Sequence, residues 1–142
     1  MTGFLLDTNV VSELMKPRPN RRVATWVEQT SEELLHLSVI TIGELRKGID
    51  LLASDDPKRA ALQSWLDRDL RLRFAGRLLV FDDFVAERWG QLEALAKKRR
   101  FTLPTIDAQL AATALHHNLT LVTRNTADLG PTGVPVFNPW SR

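Results

Sequence analysis

Short apolar runs recur along this chain, each followed by a stretch with helical spacing, and that alternation limits the fold more than any other feature. Gly3 to Leu6 is apolar and stops at Asp7. Leu34 to Ile40, Leu78 to Phe81 and Leu119 to Thr123 repeat the pattern, and Val134 to Phe137 is a shorter fifth run. Strands apolar on both faces belong to parallel sheets covered by helices. The stretches between them read as helices: Thr8 to Lys16, stopped by Pro17; Arg21 to Gln29, capped by Asn20; Thr41 to about Ala53. Three more follow: Lys58 to about Arg73, with Leu62, Trp65, Leu66 and Leu70 near helical spacing; Phe84 to about Arg100, capped by Asp82 or Asp83; and Thr105 to His117. The expected fold is α/β, a doubly wound open sheet flanked by helices. In such sheets the functional groups gather beyond the carboxyl ends of the strands.

A length of 142 residues suits one domain spanning 1–142. The chain has no cysteine, which excludes disulfides and cysteine–zinc sites. The opening Met-Thr-Gly-Phe-Leu-Leu-Asp lacks a basic leader, and no stretch reaches the roughly 20 apolar residues that span a bilayer. The expectation is a cytoplasmic protein with no membrane partner. A net charge of +2 permits nucleic-acid binding without requiring it. Arg18, Arg21 and Arg22, and the run Lys97 to Arg100, read first as solvated helix ends.

Acidic and amide side chains collect where the runs end. Asp7 follows the first, Glu44 lies just after the second, Asp82 and Asp83 follow the third, and Asn125 and Asp128 follow the fourth. Asp107 sits in the first turn of the helix before the fourth run. Each has an ordinary explanation alone. Thr41-Ile-Gly-Glu44 has capping-box spacing. Asp107 suits the positive end of its helix. Asp7 and Asp82 suit N-cap positions, and Asn125 and Asp128 suit turns. Together they ask for more. A cap contributes roughly 1 kcal/mol. Two carboxylates about 5 Å apart repel by roughly 3 kcal/mol at an effective dielectric of about 20. If Asp7, Glu44 and Asp107 converge, either a proton is taken up or a cation sits between them. All-oxygen ligands select magnesium or manganese, the usual apparatus for cutting a phosphodiester.

Four segments, in order, resemble the motifs of PIN-domain proteins. They are Leu5-Leu6-Asp7-Thr8-Asn9-Val10-Val11-Ser12; the stretch Leu37 to Gly48 containing Glu44; Asp107 with Leu110-Ala111-Ala112-Thr113-Ala114; and Thr123-Arg124-Asn125-Thr126-Ala127-Asp128. The ending Val136-Phe137-Asn138-Pro139-Trp140 is similar to the VapC/FitB toxin branch. The resemblance implies a five-stranded parallel sheet and an endoribonuclease needing Mg2+ or Mn2+. It also implies a homodimer, a cognate antitoxin and an RNA substrate, with DNA contacted only through the antitoxin. On it, Asp7, Glu44 and Asp107 hold metal directly or through water, and Thr8, Asn9 and Thr123 support the pocket. Many members carry Asp where Asn125 stands; an amide oxygen still ligates a hard cation but brings no charge. Asp128 is the candidate to compensate from behind it.

The expected chemistry is hydrolysis with Asp107 orienting a water or taking its proton, and Arg46 or Arg124 steering the backbone. The two N-terminal helices and the helix bearing Leu62 to Leu70 are candidates for an antitoxin groove. His116 and His117 suit a helix end, and Trp26, Trp65 and Trp89 suit core or interface. The rival to a nuclease is a PIN-fold binding module, weak or inactive in catalysis, which Asn125 favours. An aspartyl-phosphate phosphohydrolase would need a second acid after Asp7, where Asn9 stands, and the acid pairs and late lysine of a receiver domain are missing.

Overall fold

The structure, a computed structural model, describes residues 2–141, one residue short of the expected domain at each end. Five strands form it: β1 (Phe4–Leu6), β2 (Leu35–Ser38), β3 (Leu78–Leu79), β4 (Thr120–Val122) and β5 (Val136–Phe137). They lie in the order β3-β2-β1-β4-β5, all parallel to their neighbours. Winding reverses at β1, so the crevice for function falls at the carboxyl ends of β1 and β4.

The strands' period of two divides the core into layers. Leu6, Leu35, Leu37 and Val122 face one side, packed by α1 (Thr8–Leu14), α2 (Arg21–Gln29) and α3 (Val39–Asp50). A further helix joins that layer, built as α4 (Pro57–Ser64), a π-helical turn (Trp65–Leu70) and α5 (Arg71–Arg73). Leu5 and Leu121 face the other side, against α6 (Asp83–Arg99), α7 (Thr105–His116) and the short α8 (Thr126–Leu129). Trp26 and Trp65 pack on the first layer and Trp89 on the second, as their apolar faces predict.

Caps set the boundaries. Asn20 accepts from the N–H groups of Arg22 and Val23, and Asp82 accepts from Val85 N–H at 3.0 Å. The second helix differs from its sequence reading. β2 stops at Ser38, whose hydroxyl accepts the Ile40 N–H at 3.0 Å, and α3 starts at Val39. Thr41 therefore lies inside the helix and fully buried, so the capping box with Glu44 does not form. Val39 and Ile40 look like strand, but Ser38 supplies a better cap and Ile40 packs against the second layer.

Candidate functional site

The end of β1 anchors the site. The Asp7 N–H donates to Val122 O at 2.9 Å, tying β1 to β4 where the crevice opens. Asp7 is 6% exposed and stands at the N-cap position of α1, yet its side chain makes no capping bond. Its Oδ2 instead accepts from Thr123 Oγ1 at 2.7 Å. That hydroxyl also accepts from the Asn125 N–H at 3.0 Å and lies 3.4 Å from Asn9 Nδ2. Thr123, fully buried behind β4, thus holds three polar residues in place.

Glu44 and Asp107 arrive from opposite layers. Glu44, on α3, accepts from Thr8 Oγ1 at 2.5 Å, and Thr8 Oγ1 lies 3.0 Å from Thr41 Oγ1. The Thr41 hydroxyl thus supports the site from inside the helix rather than capping it. Asp107, in the first turn of α7, accepts from Asn125 Nδ2 at 2.6 Å. Asp7, Thr8, Asn9, Glu44, Asp107 and Asn125 line one cleft of about 610 Å³. Asp128, on α8, does not line it, but its charge acts on Asp107.

Burial raises the Asp7 pKa; the Thr123 hydroxyl and nearby backbone N–H groups oppose this, and the Glu44 charge adds to it. Burial also raises Asp107, with the Asp7 charge next, Asn125 opposing and Asp128 adding. Asp7 and Asp107 thus both resist ionisation where they stand. Among the described residues none of Asp7, Glu44 and Asp107 pairs with a cationic side chain.

A hard divalent cation fits this donor set. The donors are oxygens, and Asn9 Oδ1 is buried with no hydrogen-bond partner, so it is available to an ion or its water. Among the described residues no three His, Cys, Asp or Glu side chains gather tightly enough to enclose an ion by themselves. Magnesium needs no such cage, since it keeps several waters and takes one or two carboxylates.

Other residues from the sequence reading lie elsewhere. Arg46 pairs with Asp67 of the π-helical turn and does not line the cleft. Arg124 does line it, its guanidinium 5.1 Å from the centroid of the Trp140 ring. His116 stacks on Phe84 near the end of α7. The cleft also holds residues not singled out from sequence: Ser12, Glu13, Lys16 and Trp140. Ser12 stands four residues after Thr8 on α1, so helical spacing could have found it. Glu13 is held below the usual carboxylate range by Lys16 first and by the Asn20 N–H second. Trp140 comes from a tail beyond the last strand, which no periodicity reaches.

A second, more apolar groove of about 770 Å³ opens beside the first and shares Thr8, Ser12, Lys16 and Glu44 with it. Met15, Leu45, Ile49, Leu52, Leu62 and Trp65 line it. It lies between α1, α3 and α4 with its π-helical turn. α2, expected to contribute, does not. No helix of the described residues is long and apolar enough to cross a membrane.

The family that accounts for this arrangement is the PIN domain, whose pattern matches residues 4–128, and the chain belongs to it. Within that family it is 42% identical to the toxin FitB of Neisseria gonorrhoeae, over 96% of this chain and 98% of FitB. It is 36% identical to the VapC ribonuclease Y4jK of Sinorhizobium fredii, over 96% of this chain and 97% of that protein. The crystal structure of FitAcB from Neisseria gonorrhoeae superposes with a TM-score of 0.91 at 41% identity, covering 98% of this chain and 99% of that one. The expected fold, an open five-stranded parallel sheet of PIN type flanked by helices, is the one found.

Proposed function

We propose that this chain is a Mg2+- or Mn2+-dependent endoribonuclease and the toxin of a toxin–antitoxin pair. One observation carries the proposal: Asp7, Glu44 and Asp107, from three separate elements, line one cleft with no cationic partner among the described residues. Its similarity to FitB and to a VapC ribonuclease supports the same reading.

Bound metal supplies charge neutralisation at the phosphate and makes water a better nucleophile near neutral pH. Asp7, Glu44 and Asp107 would hold the ion, directly or through water. Thr123 keeps Asp7 oriented and Thr8 keeps Glu44 oriented. Asp107, in the first turn of α7 and lining the cleft, would orient the attacking water or take its proton. Asn125 fixes the Asp107 carboxylate and leaves its other oxygen to the cleft. Asn9 completes the oxygen donors, and Asp128 adds negative potential behind Asp107.

The partners follow from the two clefts. RNA reaches the acidic one. The apolar groove suits an amphipathic helix from the antitoxin, with an arginine or lysine entering the acidic cleft and blocking it. A homodimer, and DNA contacted only through the antitoxin, complete the proposal. Sedimentation of the toxin alone tests the first, and sedimentation with DNA, in the presence and absence of antitoxin, tests the second.

The second reading is a binding module without catalysis. Asn125 favours it, because a neutral amide spends a donor on Asp107 where a fourth carboxylate would add charge. Incubation of the purified protein with total bacterial RNA in manganese, in magnesium and in chelator separates the two. The nuclease predicts metal-dependent cleavage that drops by about a hundredfold or more in Asp107→Asn. Intact RNA with well-folded protein in both metals favours the binding module.

A further inference from the structure

The residues at the mouth of the acidic cleft form a layered surface that the hydrolytic groups do not use. The Trp140 ring is fixed from several directions. Its backbone N–H donates to Asn138 Oδ1 at 2.9 Å, and its carbonyl accepts from Arg22 Nη1 at 3.3 Å. Its indole N–H reaches towards Glu13, itself held by Lys16 and the Asn20 N–H at 3.0 Å each. The ring also packs on the first layer of the core and is half-buried. Over it lies the Arg124 guanidinium, exposed and with no carboxylate partner among the described residues.

An unpaired guanidinium over a half-buried indole thus stands among the residues that line the acidic cleft. Arg124 directly precedes Asn125, which holds Asp107. Single-stranded RNA is recognised by stacking its splayed bases on aromatic rings and guanidinium planes. We propose that Arg124, backed by Trp140, is a base-stacking platform for the nucleotide beside the scissile phosphate, and so a determinant of where RNA is cut. The proposal rests on the reading that the acidic cleft takes RNA. It assigns Arg124 the contact with the base and Trp140 the positioning of Arg124.

The alternative role for Arg124 is a point charge on the phosphate backbone, and lysine separates the two. Arg124→Lys keeps the charge and loses the plane. The measurement is anisotropy of a fluorescein-labelled ten-nucleotide single-stranded RNA in calcium, with one abasic site walked along the strand. A single abasic position is expected to weaken binding to the wild type by roughly tenfold. That penalty disappears in Arg124→Lys and in Trp140→Leu and is largely kept in Trp140→Phe. Should Trp140→Leu fail to fold, the abasic walk on wild type and Arg124→Lys decides alone. Equal binding of all abasic strands to the wild type, or an undiminished penalty in Arg124→Lys, overturns the platform. Cleavage of the same strand in manganese is scored separately. An abasic penalty without cleavage sinks the nuclease and keeps the platform; cleavage without a penalty does the reverse.

Discussion

On the proposed function Asp107 meets two opposed demands, ionised enough to serve a cation yet buried beside Asp7 and Asp128, and burial with those charges raises its pKa. The sign of the consequence follows by linkage. A carboxyl whose folded pKa is raised contributes stability that is fully present below the unfolded value near 3.8 and lost as pH rises through the folded value. Asp107→Asn, a permanently neutral near-isostere, should therefore melt higher than wild type in chelator at neutral pH. The gap should close as the pH is brought down to about 3.8, as read from paired thermal melts. A gap of opposite sign at neutral pH would show that Asp107 is already compensated by protein groups. Thr123 gives a second test. Thr123→Val leaves Asp7 Oδ2 buried without its donor, a loss of about 1–3 kcal/mol by chemical denaturation. Thr123→Ser should recover most of it. Asp7 and Glu44 were legible as candidates because each follows an apolar run at a strand's carboxyl end, and Asp107 because it opens the helix before the fourth run. Trp140 and the orphan oxygen of Asn9 were not, since one depends on where a tail returns and the other on which way an amide faces.

At the scale of elements, the sequence's apolar periodicity located all five strands and the main helices, including the two-residue β5. It failed where two elements abut. The turn between β2 and α3 is decided by the Ser38 hydroxyl, and Ser38→Ala should cost about 1 kcal/mol in unfolding free energy. The helix after Pro57 reads as one continuous amphipathic stretch, and periodicity could not show its π-helical turn. There Leu66 and Leu70 are both buried while Asp67 turns out to pair with Arg46. Gly3 marks a close approach that composition alone cannot reveal. A Cβ there would meet Leu34 O at 2.9 Å and Leu119 Cδ2 at 3.0 Å. Gly3→Ala should thus destabilise the protein by about 1–3 kcal/mol, measured by urea denaturation.

The whole molecule gives the proposed cation a consequence beyond chemistry. Glu44 rides on α3, in the layer packed by Leu6, Leu35, Leu37 and Val122, whereas Asp107 rides on α7, in the layer packed by Leu5 and Leu121. The sheet separates these layers everywhere except at the carboxyl ends of β1 and β4, where Asp7 and Asn125 stand between them. An ion held there, as proposed, would join both layers to the central strand and would bind the folded chain alone, because unfolding scatters its ligands. At a free concentration of about a hundred times its dissociation constant it adds roughly 2.7 kcal/mol. For a domain of this length that is a rise in melting temperature on the order of 5–10 °C. Calorimetry of wild type in manganese against chelator measures the rise. Asp7→Asn and Asp107→Asn should each lose most of it, while Asp128→Asn, which removes a charge behind the cleft, should keep most. Equal shifts in the wild type and in Asp7→Asn would mean that manganese binds elsewhere on the surface, and the link between the two layers would then rest on hydrogen bonds alone.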